Sequence, residues 1–267
     1  NNLSKVIFIA AIVALFIASG CKHDNNTGTT MMPVGLHLHT YIDTNEVETD
    51  GNDVYFADAN GRVERLNYAQ LYITTVSFHS TTKGWYTIPG SILLKRIEQE
   101  EYPIGSVPAD DYDQVMFTVG LNNTLNGAAP SSYSTTGTDS VLSTNENFMY
   151  LGSGQGYKFL TLAGEVDTSA GQTGTNPIAF SYDIGGNGDT VMIMLPQESF
   201  TIAKGVPYTQ YLHIVCDYGK VLQAIDMTNT ANRTGTYTGT QNNAARQIWN
   251  AIINMFRYEC DTPDGDC

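Results

Sequence analysis

The chain has 267 residues, of which 42% are hydrophobic and only 15% are charged. This length suffices for one large packed domain, and the hydrophobic fraction excludes a disordered chain. The 27 acidic residues outnumber the 13 basic ones, so the net charge is -14 at pH 7. A surface of this sign repels phosphate backbones, which argues against nucleic acid as a partner and favours the capture of cations.

The first residues predict an export signal. Lys5 is followed by an uncharged apolar run over 6–18, which is too short for a transmembrane helix of about 20 residues but fits a signal-peptide core of roughly 7–15. A Ser-Gly pair stands directly before Cys21, as in a bacterial lipobox. We predict a lipoprotein signal peptide over 1–20, a lipid on Cys21 that anchors the protein in the cell envelope, and a flexible tether over 21–32. A simple membrane anchor and an ordinary secretory signal are the alternatives.

Three further cysteines, Cys216, Cys260 and Cys267, would lie in an oxidising compartment, where disulfides persist. Three thiols allow one bridge and leave one over. A Cys216–Cys260 bridge would tie the end of the chain to the domain, whereas Cys260–Cys267 would close only a small loop. The first pairing is preferred, and both remain open.

Short alternating runs separated by turn residues dominate the chain from residue 33 onward, which is typical of β-strands. No helical pattern lies between these runs, so we predict an all-β fold, an antiparallel β-sandwich with long loops, in a domain over 33–226. The runs cover residues 36–42, 71–78, 115–119, 157–162, 178–182, 190–195, 199–202 and 208–215.

Two stretches depart from this rhythm. Residues 120–147 are polar and rich in Ser, Thr and Asn, which predicts a large loop. The C-terminal extension, 227–267, contains an amphipathic helix predicted over 241–258. We expect this helix to pack on the sandwich, with a partner-binding helix as the alternative. Its apolar face consists of Ala245, Ile248, Trp249, Ile252, Met255 and Phe256.

No nucleophile elbow, phosphate-binding loop, dinucleotide fingerprint or zinc-protease helix occurs in the sequence, so we expect no enzyme. One local pattern has a mechanism. His37 and His39 alternate with Leu36 and Leu38, and residues i and i+2 of a strand project from the same face. Two neighbouring imidazoles suit copper, zinc or nickel. His213 would be a third ligand if its strand lies beside the first.

Six sequence segments occur in an order that resembles the MbnP-like family, which comprises periplasmic or lipid-anchored β-sandwich proteins. The first segment contains the His37–His39 pair, and the resemblance spans roughly residues 34–226. The segments are Gly-Leu-His-Leu-His at 35–39, Gly-Arg-Val-Glu-Arg-Leu-Asn-Tyr at 61–68, 112–122, 149–164, Phe-Ser-Tyr-Asp-Ile-Gly at 180–185 and Leu-His-Ile-Val-Cys-Asp at 212–217.

The resemblance implies copper binding outside the cytoplasm by ligands that include the first-strand histidines. It points to Asp183 as a further ligand, because family members often have His at the corresponding position after the tyrosine. Tryptophans that follow the methionine in the family are absent after Met149. Metal acquisition or sequestration is the function that this resemblance implies. The alternative is an adhesion or scaffold module of the same fold that has lost the metal site and binds an envelope protein.

Overall fold

The computed structural model describes residues 29–47, 56–57, 61–167, 169, 171, 177–186 and 190–259. The chain separates into two units, Asn1–Thr30 and Met31–Cys267, and every element named below belongs to the second. The predicted signal peptide, Cys21, Cys260 and Cys267 lie outside the described residues. No helix in the described part is long and apolar enough to cross a membrane.

The second unit contains sixteen described strands in two sheets, which confirms the prediction of an all-β sandwich. The strands are β1 Met31–Ile42, β2 Asn45–Glu46, β3 Phe56–Ala57, β4 Val63–Ser80, β5 Gly84–Thr87, β6 Ile92–Arg96, β7 Glu101–Pro108, β8 Asp110–Val119, β9 Tyr150–Gly152, β10 Gly156–Asp167, β11 Pro177–Gly185, β12 Val191–Met194, β13 Phe200–Ile202, β14 Gln210–Asp217, β15 Thr234–Tyr237 and β16 Phe256–Tyr258.

The smaller sheet has the order β16-β14-β1-β2, with β7 also paired to β1. The larger sheet has the order β12-β8-β4-β10-β11-β15. In addition, β3, β5 and β6 pair with β4, β9 pairs with β10, and β13 pairs with β8. Alternation along β1 buries Leu36, Leu38 and Ile42 completely. The two sheets meet where the Phe117 ring of β8 lies edge-on to the Phe256 ring of β16, with centroids 5.0 Å apart.

Two strand pairs depart from the predicted antiparallel arrangement. β1 runs parallel to β14, and β11 runs parallel to β15. A parallel pair cannot be closed by a hairpin and needs a long crossover connection. The chain between β1 and β14 forms most of the larger sheet. The local alternation of residues in β1 and β14 therefore could not predict that these two strands pair.

The segment over 120–147, predicted to be a large loop, contains short helical elements. It contains the helix α1, Asn123–Gly127, and the 3₁₀ turns Pro130–Ser132, Thr138–Leu142 and Thr144–Met149. Two core tyrosines attach it to the sandwich: the Tyr72 hydroxyl donates to the Val141 carbonyl, and the Tyr157 hydroxyl donates to the Leu142 carbonyl. Both bonds give a partner to a phenol group within the core.

The C-terminal segment differs from the single helix predicted over 241–258. After α2, Tyr218–Leu222, the helix α3 covers only Ala244–Ala251, a 3₁₀ turn follows over Ile252–Asn254, and the chain then enters β16. The Asn243 side chain caps α3 by accepting from the Arg246 N–H. The apolar set proposed from sequence is nevertheless buried throughout. The helix ends early because β16 pairs with β14, and tertiary pairing outweighs the local helical period.

Cys216 is fully buried on β14 and has no disulfide partner among the described residues. Burial raises the pKa of its thiol to about 12, and the nearby Lys95 opposes this effect. A thiol in this setting is inert, because the thiolate is the reactive form. Since Cys260 and Cys267 lie outside the described residues, the pairing of cysteines remains a prediction.

Asp217 joins the C-terminal end of β14 to the turn after β1. Its Oδ1 accepts from the Asp43 N–H at 2.9 Å, and its Oδ2 is buried without a hydrogen-bond partner among the described residues. Burial raises the pKa of the Asp217 carboxyl above its ordinary value, although the Asp43 N–H, Lys220 and Arg257 partly offset this rise. The hydrogen bond to the Asp217 carboxylate therefore connects the two strands, while burial of the charged carboxylate lowers the stability.

We predict that Asp217→Asn raises the melting temperature at pH 7, whereas Asp217→Ala lowers it. The amide keeps an acceptor for the Asp43 N–H and removes the buried charge; we expect a gain of about 1 kcal/mol, or roughly 2–4 °C for a domain of this size. Because the pKa is raised on folding, the stability contributed by this group is present below the ordinary pKa of 3.8 and is lost as the pH rises through the folded pKa. The advantage of the asparagine variant should thus shrink as the pH falls. A constant difference from pH 8 to pH 4 in thermal melts would contradict this assignment.

Candidate metal centre

The parallel pairing of β1 with β14 places His213 directly beside His37, as Cα partners in the register. His39 lies two residues further along β1 and projects from the same face as His37. The condition for His213 to join the pair is therefore met, since its strand is the neighbour of β1. The structure brings together three of the four predicted metal ligands, His37, His39 and His213.

The three imidazole rings form a compact cluster. The rings of His37 and His39 stack with centroids 4.2 Å apart, and the ring of His213 lies 4.5 Å from His37 and 5.4 Å from His39. One nitrogen of each ring lies within 4.8 Å of the others. The side chains of His37 and His39 are 19% and 11% exposed, whereas that of His213 is 49% exposed. The cluster is thus a half-buried site with an open side at His213.

Glu259, which follows β16, adds a carboxylate to the cluster. Its Oε2 lies 2.9 Å from His39 Nε2 and 3.1 Å from His213 Nδ1, and these two nitrogens are 3.2 Å apart. Ligand atoms bound to a tetrahedral ion at about 2.0–2.1 Å are separated from one another by about 3.3 Å. The three atoms therefore already have the spacing of ligands around one metal ion.

Two further glutamates hold the histidine rings in place. Glu46 Oε1 lies 2.7 Å from His39 Nδ1, and Glu100 Oε2 lies 3.0 Å from His37 Nε2. A carboxylate on one ring nitrogen fixes the tautomer and directs the other nitrogen to a metal, an arrangement common around ligating histidines. Glu46 fills that role for His39, whose Nε2 faces His213 and Glu259. Both clusters of three potential ligands found among the described residues contain His39.

Two tyrosines border the cluster in their protonated form. Burial, with Glu46 and Glu259 adding to it, raises the pKa of the Tyr41 hydroxyl, which donates to Glu259 Oε1 at 3.5 Å. Burial, aided by Glu101, raises the pKa of Tyr211. With these raised pKa values, both phenols are neutral near pH 7.

Gly35 explains how an aromatic ring reaches the edge of the cluster. A Cβ at this position would lie 2.4 Å from Cε1 of Tyr211, which is an impossible contact. The absence of a side chain lets the Tyr211 ring lie across β1, with its centroid 6.3 Å from the His37 ring. The glycine before the two histidines is therefore a packing requirement of the site.

Asp183, the fourth predicted ligand, is not brought to the histidines. It lies on β11 in the larger sheet, where its Oδ1 accepts from the Thr161 hydroxyl at 2.7 Å and pairs with Lys158 Nζ at 2.9 Å. An ammonium group already compensates its charge, and it belongs to neither cluster of potential ligands in the described residues. Asp183, which the family resemblance indicated as a ligand, thus forms a structural ion pair with Lys158 instead.

Sequence reasoning missed the three glutamates around the histidines. Glu46 had a usable signal, because a turn directly after β1 folds β2 back and pairs Tyr41 with Glu46. Glu100 and Glu259 offered no such signal. Glu100 precedes β7, which pairs with β1, and Glu259 follows β16, which pairs with β14. Both are positioned by pairings between segments distant in sequence.

Comparisons with known proteins agree with this architecture. The solved structure of MbnP from Methylosinus trichosporium is similar to this chain, with a TM-score of 0.52 and 13% sequence identity, over 79% of this chain and 83% of that chain. A likeness at this identity concerns the fold alone. A search among curated proteins finds no match. The family model MbnP matches residues 32–240, which include His37, His39 and His213, and the chain therefore belongs to the MbnP family.

Proposed function

We propose that this protein binds one metal ion, with copper preferred, at His37, His39 and His213. The observation that carries the proposal is that one ring nitrogen of each of the three histidines lies within 4.8 Å of the others. Glu259 Oε2 adds an oxygen at 2.9 Å from His39 Nε2 and 3.1 Å from His213 Nδ1. Imidazole nitrogens suit copper and zinc, and the added carboxylate oxygen favours a divalent ion over a purely soft one. Membership of the MbnP family supports copper as the metal to test first.

The charge around the site favours a cation. Glu46, Glu100 and Glu259 surround the three rings, and the whole chain carries a net charge of -14. A negative surface raises the local concentration of cations and their rate of association. The described site holds no nucleophile aligned with a base, so we propose acquisition or sequestration of the metal without turnover.

We also propose that the protein works outside the cytoplasm, anchored by a lipid on Cys21. The support is the apolar run that ends in Ser-Gly-Cys at 19–21. Such a location fits the capture of metal from the envelope. The apolar face of α3 is used within the domain, where Ile248 and Trp249 are buried, so that face is not available to a partner.

The His37→Ala/His39→Ala double variant should lose at least 100-fold in affinity for copper, equivalent to about 2.7 kcal/mol. Removing two of three imidazoles leaves too few ligands to replace the hydration shell of the ion. The measurement is titration of Cu(II), and of Cu(I) under anaerobic conditions against a chromogenic chelator. His79→Ala is the matched control, because His79 pairs with Asp113 at 2.6 Å and belongs to neither cluster.

Metal should also raise the melting temperature of the wild type, since an ion that binds only the native state at 100 times its Kd stabilises it by about 2.7 kcal/mol. Equal and weak binding by wild type, double variant and control would sink the proposal. That result would favour the scaffold role, in which the domain binds an envelope protein.

Glu46→Gln tests the carboxylate behind His39. The amide can present its NH₂ group to Nδ1 and select the wrong tautomer, so we expect copper affinity to fall about 10- to 100-fold. Glu98→Gln is the control, because Glu98 is exposed and lies outside both ligand clusters. Isothermal titration of the two variants at one pH compares them. Equal affinities would show that Glu46 does not orient the ligand.

Replacement of Cys21 tests the anchor. In a bacterial host, we expect the wild type in the membrane fraction with a lipid-modified N-terminal peptide in mass spectra. Cys21→Ser removes the sulfur that carries the lipid and should leave an unmodified precursor. Cys216→Ser serves as the control and should still be lipidated. Recovery of unmodified wild type from the soluble fraction would contradict the lipoprotein assignment.

A further inference from the structure

Three methionines occupy one outer face of the larger sheet, whereas the histidines lie on the smaller sheet. Met192 and Met194 alternate along β12 and are 58% and 51% exposed. Between and after them, Ile193 and Leu195 are 2% and 1% exposed and face the core. β12 is the end strand of its sheet path. The two thioethers therefore project side by side into solvent from an edge strand.

Met116 joins them from the neighbouring strand. In the antiparallel pairing of β12 with β8, Met116 is the direct partner of Met194 and is half-buried. Directly opposed residues have Cβ atoms about 4.5–5.5 Å apart, and diagonal ones, such as Met116 and Met192, are about 7–8 Å apart. Methionine has three rotatable bonds before its terminal methyl group, so three sulfur atoms at these spacings can converge on one point.

Polar side chains lie beside these methionines on the neighbouring strands. Thr118 is the partner of Met192, and Ser77 of β4 is the partner of Met116. The Ser77 hydroxyl lies 2.8 Å from that of Thr87 on β5. Beyond Met116 along β8, Gln114 donates to the Leu195 carbonyl. The residues paired directly with Met192 and Met116 on this face, Thr118 and Ser77, thus carry hydroxyl groups.

Thioether sulfur is a soft ligand that selects Cu(I) over harder divalent ions. We propose that Met116, Met192 and Met194 form a second metal site, specific for a soft monovalent cation, with the cuprous ion as its ligand. The site shares no residue with the histidine cluster. Its chemistry is also different, because three neutral sulfur ligands contain no imidazole and no carboxylate.

Two sites of different softness on two different sheets would allow the protein to hold cuprous ion separately from the ion at the histidines. The exposure of Met192 and Met194 suits an ion that is readily exchanged with another thioether-bearing molecule. The histidines, with two of the three rings largely buried, suit slower release. This proposal does not rest on metal binding at the histidines.

The test is anaerobic titration of the full chain with Cu(I) in competition with a chromogenic chelator. We expect Met116→Leu/Met192→Leu/Met194→Leu to lose one equivalent of Cu(I), with at least a tenfold loss of affinity at that site. Leucine keeps the volume, so the melting temperature should change little. Met31→Leu is the matched control, because Met31 is 43% exposed and its neighbour on β1, Met32, is only 5% exposed. It should bind as the wild type does.

A second readout does not depend on the variants. Addition of Ag(I), a diamagnetic analogue of Cu(I), to protein labelled at the methionine ε-methyl groups should shift the resonances of Met116, Met192 and Met194 together. The resonance of Met31 should stay in place. Unchanged Cu(I) stoichiometry in the triple variant, or unmoved ε-methyl resonances in the wild type, would overturn the proposal.

The experiments can contradict the two proposed sites independently. If the methionine variant loses an equivalent while His37→Ala/His39→Ala loses none, the methionine site stands and the histidine site falls. The reverse result removes the methionine site alone. Met192→Leu alone changes the most exposed of the three positions, where leucine should not disturb the sheet. A loss of Cu(I) affinity in this single variant would show that the loss in the triple variant comes from the missing sulfur atoms.

Discussion

The parallel pairing of β1 with β14 is the constraint on which the histidine cluster depends. It aligns His37 with His213 across 176 positions of sequence, and it is secured beyond the last pair by the bond from the Asp43 N–H to Asp217. A slip of one residue would turn one strand's histidines into the core and its leucines into solvent. The complete burial of Leu36 and Leu38 opposes such a slip. Burial of the leucines of β1 thereby fixes the register that places His37 and His39 beside His213.

Carboxylates that arrive from three directions surround the cluster. Glu46 comes from the hairpin after β1, Glu100 from the segment before β7, and Glu259 from the end of β16. Each carboxylate accepts from an imidazole N–H or attracts a protonated ring, so the half-buried nitrogens are satisfied without an ion. A bound metal would exchange these hydrogen bonds for stronger coordination while leaving Glu46 to orient His39. The C-terminal segment, which also supplies β15 and β16, is therefore part of the site's construction.

Local patterns predicted much of this molecule. Alternating residues located β1, β4, β8, β10, β11, β12, β13 and β14, because strand periodicity needs only neighbouring residues. The buried set around Trp249 was also correct, although a strand replaces the end of the predicted helix. The parallel pairs and the strands β2, β3, β5, β6, β7, β9, β15 and β16 were missed. β15 and β16 exist because distant segments complete sheet edges, and nothing in their own four and three residues requires it.

The sequence by itself determined that His37 and His39 share a face, since two residues of one strand always do. It also determined an acidic, all-β chain of the MbnP type. Only the tertiary structure decided that His213 joins them, that Asp183 does not, and that Glu46, Glu100 and Glu259 surround them. It likewise decided that Met116 stands beside Met194. The physical reason is that strand order and register are fixed by how two sheets bury their apolar faces together, which is a property of the whole chain.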